Sequence, residues 1–373
     1  MNLAIKRIVI ALYLVINILF IEKYASRVTD YHLLISLGYL LCIGIFLGVA
    51  KKMAFTIVSS TRWLIGIGIL FLCIAVCLQY AIDPLSIQVD RWSALHNFSS
   101  SLLEGEYPYG HPTHLGGYGS PFPVWQILHL PFYLVKNVGL SIFVVTIGFI
   151  VTIYYCHSSK AALMATILLC ISPAFWYEIA VRSDLITNMM FVFILTEWLI
   201  HKQIKLSSYT ISLGLLSGLI LSTRFIAIIP MCVVYGYEFL KMGWKKQLLF
   251  LLVTLVTFVL TFLPFILWEG STLLFFEYNP FVLQTRQGSW VVLFLFAIIA
   301  IAFTIYMEGG IKHRVAYIGL LLTLLVVMAF VEKMYQQNMW FELFSPAFDI
   351  TYLSTALPFY IGYIACSVSV VSE

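Results

Sequence analysis

Of 373 residues, 62% are hydrophobic and 10% are charged, the mean hydropathy is +0.98 and the formal net charge is +4. A chain this poor in charge cannot cover a water-soluble globule with polar groups, so soluble enzymes and nucleic-acid binders are excluded and a polytopic membrane protein remains. Its apolar runs are continuous and about 16 to 22 residues long rather than short and alternating, which selects helices over a barrel.

In chain order the runs predict about 12 spans, at 4 to 21, 32 to 50, 63 to 82, 138 to 156, 161 to 177, 185 to 201, 208 to 223, 224 to 240, 247 to 268, 290 to 307, 315 to 331 and 350 to 371. The first run has the length of a signal peptide, but no small-residue cleavage site follows it and a second span begins at Tyr31, so it is kept as a span. With the N-terminus cytoplasmic, 13 of the 21 Lys and Arg fall on cytoplasmic segments, Lys51, Lys52 and Lys312 among them, and 8 on the other side. The positive-inside rule supports that orientation. Two stretches stay open. Residues 208 to 240 read either as one tilted helix or as a hairpin, and the hairpin is preferred because Arg224 needs a wet or paired setting between the Lys202/Lys205 and Lys241/Lys245/Lys246 clusters. Residues 122 to 135, interrupted by Pro123 and Pro131, read as a segment lying in or dipping into the outer interface rather than crossing.

The whole chain reads as one transmembrane domain, with three N-terminal spans over 1 to 82, an extracytoplasmic loop over 83 to 137 and the remaining spans over 138 to 373. That loop crowds acids, histidines, glycines and prolines together, and it is expected to form short helices along the outer surface. Within it Asp90 and Arg91 precede "GEYPYG", which holds Glu106, Tyr107 and Tyr109, and then "HPTH", with His111 and His114. Pro112 between the two histidines denies them helical ligand geometry, so no metal is expected there. Clustered Tyr, Trp and Pro make a stiff surface of the sort that stacks on sugar rings or lipid tails. All seven cysteines fall within or at the ends of spans and form no metal-type pair.

Further outer features follow. "YEIAVRSDLITN" places Glu178, Arg182 and Asp184 between the fifth and sixth spans, and "STRF" puts Arg224 at the next outer tip. Segments 269 to 289 and 332 to 349 complete the outer face, whereas the cytoplasmic connections are short and basic. Charges at membrane depth persist mainly where they pair or line a watery cavity, so Asp90, Arg182, Asp184 and Arg224 are candidate functional residues.

Taken in order, "DRW", "LLEGEYPYG", "GSPFPVWQILHLPFYL", "SPAFWYEIAVRSDLITN" and "LSTRFIAIIP" resemble the membrane-embedded glycosyltransferases of the C class (GT-C), of the bacterial mannosyltransferase-like and aminoarabinose-transferase-like kind. The motifs cover roughly residues 83 to 235, and the rest of the chain matches by hydropathy alone. The resemblance implies an all-α GT-C bundle in a bacterial inner membrane, with the active site facing the periplasm. It implies transfer of a sugar from a polyprenyl-phosphate donor to a glycan or lipid acceptor. Asp90 would be the general base, with Asp83 as its rival, and Asp184 the second catalytic acid, orienting an arginine or the acceptor. Arg182 and Arg224 would bind the donor phosphate, and Arg91, Glu106, Tyr107, Tyr109, His111 and His114 would bind substrate. No cofactor is expected, since the Asp-x-Asp form that a divalent metal would call for is absent around Asp90. The alternatives are an O-antigen-type polymerase or ligase, which His111 and His114 keep open, and a transporter or flippase of lipid-linked saccharides, which calls for spans broken near the midplane.

Overall fold

A computed structural model describes residues 3–50, 57–286, 288–306, 313–345 and 347–369. Lys51, Lys52 and Lys312, counted above toward orientation, lie outside the described residues. The fold is all-helical, and among the described residues the one β-type contact is an isolated bridge between Pro112 and Tyr118. Among the described residues five helical stretches are long and apolar enough to cross a membrane: 3–25, 60–81, 138–156, 244–275 and 314–337. A sixth is added if two helices bent by 68° count as one. Among the described residues each predicted span overlaps a helix or a helix pair, and several of these are too short to count among the five.

The N-terminal helices are α1 (Leu3–Ala25), α2 (His32–Ala50) and α3 (Ile57–Ala81). Between them and the next long helix run α4 (Arg91–Glu104), α5 (Pro123–Leu128) and α6 (Leu130–Leu134), so the 83 to 137 segment does fold as short helices. Then follow α7 (Ser141–Cys156), α8 (Ser159–Cys170) and α9 (Pro173–Ala180). The bend between α8 and α9 has a local cause: Pro173 has no N–H to continue α8, and Ser172 turns to cap α9 by accepting from Phe175 N at 3.3 Å. Asn17 of α1 fixes the bend, its Oδ1 accepting from Ser172 Oγ at 2.6 Å and from Ala174 N at 3.2 Å.

Helices α10 (Leu185–His201), α11 (Thr210–Leu221) and α12 (Ile228–Lys241) carry the chain through the stretch left open above. It is a hairpin. Glu238, near the end of α12, accepts from Leu206 N at 2.7 Å and Ser207 N at 3.1 Å, just before α11 begins, so the chain has come back to where it started. Helix α13 (Trp244–Phe275) then packs along α11, and Lys246 Nζ donates to Ser207 O at 2.7 Å. Gly218 permits the close approach: a Cβ there would lie 2.6 Å from Thr257 Cβ and 2.7 Å from the Thr254 carbonyl. The remaining helices are α14 (Pro280–Thr285), α15 (Trp290–Tyr306), α16 (Arg314–Gln337) and α17 (Leu357–Ser369).

Most of the buried side chains form one apolar core running through α1, α7, α8, α10, α16 and α17. A smaller aromatic cluster holds the 83 to 137 segment against α13. Its centre is Phe122, fully buried, with ring centroids 4.6 Å from Phe225, 5.2 Å from Phe262 and 5.3 Å from Phe281. Backbone bonds from Phe122 N to Thr223 O and from Val124 N to Ser222 O seat this segment directly on the turn between α11 and α12. The loop is thus packed into the bundle on one face, not merely laid along it.

Candidate functional site

The site grows from two chain reversals. After α9 the backbone turns through Arg182, whose φ of 51° lies in the left-handed region, and restarts as α10 with Asp184 at the N-cap. The Asp184 side chain makes no capping bond and points away from its own helix. It accepts instead from Trp125 Nε1 at 2.7 Å and from Arg224 Nη2 at 2.5 Å. Arg224 occupies the second reversal, in extended backbone (φ −157°, ψ 145°) between α11 and α12. The pair is buried, at 2% and 5% exposure, where charges persist only when paired. Burial pushes the Asp184 carboxyl up; Arg224, by its charge and its hydrogen bond, overrides this and holds it below the ordinary carboxylate range.

A second arginine stands beside the first pair. Arg91 Nη1 donates to Ser183 Oγ at 2.9 Å, next to Asp184 in the chain, and Arg91 Nη2 donates to Asp349 Oδ2 at 2.7 Å and Thr351 Oγ1 at 2.6 Å. Fully buried Glu178 lies 3.7 Å from Arg91 Nη1 through Oε1, while its Oε2 accepts from Ile186 N. At these two ion pairs three buried polar atoms have no hydrogen-bond partner: Asp184 Oδ1, Glu178 Oε1 and Arg224 Nε; the amide atoms of buried Gln126 and Asn188 have none either. Buried polar groups are normally paired, so the open atoms of these charged groups are free to meet a ligand.

Asp90 flanks Arg91 and is half-buried. Thr113 Oγ1 donates to its Oδ2 at 3.0 Å, and Gly117 lies close against the same carboxylate: a Cβ there would lie 2.6 Å from Oδ2 and displace it. From Thr113 the chain runs to Ser120, whose Oγ is 3.5 Å from Arg224 Nη1. Gln284 of α14 fastens this end, donating to Ser120 O and accepting from Phe225 N, both at 2.7 Å. One short segment therefore connects Asp90 to Arg224. Among the described residues no hydrogen bond joins Asp90 directly to Asp184 or Arg224. The rival, Asp83, is exposed and caps its own turn, accepting from Leu85 N at 3.0 Å.

The other candidates lie elsewhere. Arg182 donates to the carbonyls of Gln79 and Ile82 and to Asn137 Oδ1, with Trp92 beneath it, so its guanidinium ties the end of α3 to the start of α7. Tyr107 and Tyr109 are buried with Phe98 and Phe265. His114 is held between Ser93 Oγ and the Ile87 carbonyl, and His111 sits on the surface 3.0 Å from Glu106. Among the described residues no three His, Cys, Asp or Glu side chains are placed to share a metal ion. Sequence reasoning overlooked Ser120, Gln284, Asp349 and Thr351. The last two carried a local signal, an acid at the start of a helical segment with a hydroxyl two residues on.

Below Arg224 opens a cavity of about 790 Å³ between α12, α15 and α16. Ser120, Arg224, Gln284, Tyr352 and Thr355 line its head. Farther down the walls are almost wholly apolar, with Cys232, Phe239, Leu240, Phe296, Ala300 and Leu325. From Arg224 to Leu240 it follows nearly the whole of α12, about 20 Å at the helical rise. The chain matches no protein-family model, no curated protein and no solved structure.

Proposed function

We propose that this protein is a GT-C-type glycosyltransferase that moves a sugar from a polyprenyl-phosphate carrier to a hydroxyl of a glycan or lipid acceptor. One observation carries the reading: a buried guanidinium stands at the head of a long apolar cavity. That combination suits a ligand with an anionic head and a hydrocarbon tail, and few other ligands need both. Arg224 is the phosphate ligand, and Asp184 is its counter-ion while the cavity lacks donor. Asp90 acts as base. It takes the proton from the acceptor O–H as that oxygen bonds to the anomeric carbon, and the electron pair of the breaking sugar–phosphate bond leaves on the phosphate, stabilised by Arg224. No step uses a cofactor. In the same reading the twelve predicted spans all cross, the 83 to 137 end faces away from the cytoplasm, and the membrane is a bacterial inner membrane.

The test is reconstitution in vesicles with a polyprenyl-phosphate sugar labelled in the sugar. Transfer to an endogenous lipid or glycan acceptor, lost in Arg224→Ala, supports the reading; absence of any new glycosidic bond with a panel of such donors sinks it. The bend of 68° between α8 and α9 favours a second reading, a transporter of lipid-linked saccharides, because broken spans serve that task. Movement of intact labelled lipid across the vesicle without transfer would decide for it.

A further inference from the structure

The polar site is short of positive charge for the ligand assigned to it. Two guanidinium groups, Arg91 and Arg224, meet four carboxyl groups there, those of Asp90, Glu178, Asp184 and Asp349. A further amine, Lys23 Nζ, donates to the carbonyls of Phe348 at 2.6 Å and Ser345 at 3.3 Å. A sugar-bearing polyprenyl phosphate is a phosphodiester with a single negative charge. When the sugar leaves, the electron pair of the broken bond stays on the phosphate, and the monoester carries about −1.5 to −2 near pH 7. An anion in a low-dielectric place is held only against compensating charge, and Asp184 already neutralises Arg224.

One cation at the rim of the cavity is uncommitted. Arg286 follows α14, its N donating to Val282 O at 3.0 Å, and the cavity is lined by Gln284 and Thr285 before it and Gly288 after it. The main chain is fastened on both sides. Asn279 Oδ1 accepts from Phe281 N at 3.0 Å and Val282 N at 3.1 Å, and Glu332 Oε2 accepts from Ser289 N at 2.8 Å. Glu332 Oε1 accepts from Ser289 Oγ, so both oxygens of this neighbouring acid are engaged. The Arg286 side chain is exposed, and among the described residues its guanidinium has no carboxylate, hydrogen-bond acceptor or aromatic ring as partner. Other cations on this side are occupied: Arg27 lies over Tyr24, Arg182 is bound to the carbonyls of Gln79 and Ile82, and Lys333 Nζ donates to Ala347 O. Exposed Lys136 stands in the turn into α7, and neither it nor its chain neighbours line the cavity. A guanidinium takes a phosphate by two parallel hydrogen bonds, and its long stem lets it do so from a rim while its head stays wet.

We propose that Arg286 is the second cation of the donor site and binds the polyprenyl phosphate from the rim, so that the charge left on the phosphate after transfer is shared between Arg286 and Arg224. This rests on the donor reading of the Arg224 cavity. The probe is tritiated farnesyl phosphate, with farnesol as its uncharged counterpart, on the full-length protein in phosphatidylcholine nanodiscs and with empty nanodiscs as the blank. Arg286→Gln should weaken farnesyl phosphate binding by roughly tenfold or more, the worth of one charge-assisted hydrogen bond, and leave farnesol binding unchanged. Arg286→Lys should recover most of the loss. Added salt should weaken binding to the wild type more steeply than to Arg286→Gln, because the rim is exposed. In the transfer assay Arg286→Gln should raise the donor KM and leave the acceptor KM unchanged. Equal affinity of wild type and Arg286→Gln for farnesyl phosphate, with Arg224→Ala defective, makes Arg286 a membrane-surface arginine only and overturns the proposal while the donor reading stands. Equal loss of farnesol and farnesyl phosphate binding also overturns it, since charge is then not the cause. So does displacement of the probe by phosphatidylglycerol at equal concentration, which assigns the arginine to bulk lipid head groups, or binding that EDTA abolishes and Arg286→Gln leaves intact, which assigns the charge to a divalent ion. A wild-type protein that does not prefer farnesyl phosphate to farnesol overturns the donor reading itself.

Discussion

The two ends of the helical hairpin α11–α12 treat buried charge in opposite ways. At the end where it closes, the Glu238 carboxylate accepts from two backbone N–H groups and from Ser207 Oγ, and Lys246 caps the Ser207 carbonyl beside it. At the turn, Arg224 and Asp184 are more deeply buried, yet Arg224 Nε and Asp184 Oδ1 have no partner. A carboxylate saturated by local donors is a clasp, with nothing left to offer a ligand. A charged pair that keeps unspent hydrogen-bonding capacity in a low-dielectric place is held by the fold at a cost, and such sites are where ligands bind. The contrast sets a charge saturated by local donors against a charged pair that is not, at the two ends of one hairpin.

The sharpest break of that contrast would come at Asp90. Asp90→Asn should lower the transfer rate by roughly 10² to 10⁴, the range for loss of a general base, and leave the melting temperature unchanged. Asp83→Asn should transfer at the wild-type rate; an inactive Asp83→Asn beside an active Asp90→Asn would exchange the two roles. Next is Arg224→Ala, which should abolish donor binding and destabilise the protein by about 3 to 5 kcal/mol, because Asp184 is left buried without its counter-ion. Arg224→Lys keeps the charge but loses the planar fork, and a transfer rate lowered by roughly tenfold or more is expected from one charge-assisted bond worth about 1.5 to 3 kcal/mol. Measuring rate against donor concentration in all three forms checks it; unchanged donor dependence in Arg224→Ala would reduce this arginine to a helix tie. At the other end Glu238→Gln should cost about 1 to 3 kcal/mol of stability, read as a lower denaturation midpoint, with transfer unaffected. A large loss of activity there would erase the distinction between the ends.

The smallest effect concerns pH. The native Asp184 carboxyl is lower in pKa than in the unfolded chain, so its pair with Arg224 contributes full stability above the ordinary Asp value of about 3.9 and loses it as pH falls from there through the native value. Thermal unfolding should therefore be more sensitive to Asp184→Asn near pH 7 than near pH 3. Equal sensitivity at both would show that the carboxylate's charge plays no part.

Much of the helical layout was legible because a membrane helix is written in a continuous apolar run, and the hairpin at 208 to 240 was legible because a lone arginine at depth needs a turn and a partner. Asp90, Arg91, Asp184 and Arg224 were placed near one another by sidedness alone, and the fold does gather them. Arg182 was not separable from Arg224 by that logic: a left-handed turn of one residue aims it at the α3 carbonyls, and nothing in the composition of the turn announces its direction. Tyr107 and Tyr109 stand in a loop whose aromatics have an inward alternative, the Phe262 and Phe265 face of α13, invisible until α13 is docked. Asp349 lies 258 positions from Arg91, and a contact of that range leaves no mark in either neighbourhood.

Gln284 grips the 113 to 120 segment through the carbonyl of Ser120 and the next strand of the site through the amide of Phe225, so both of its bonds are to backbone. Neither bond depends on which side chains those positions carry. The main chain at 120 is therefore held whatever its side chain, and the Ser120 hydroxyl, 3.5 Å from Arg224, is a separate contact. A frame fastened by its main chain in this way keeps Arg224 in register with the 113 to 120 segment independently of the side chains at 120 and 225.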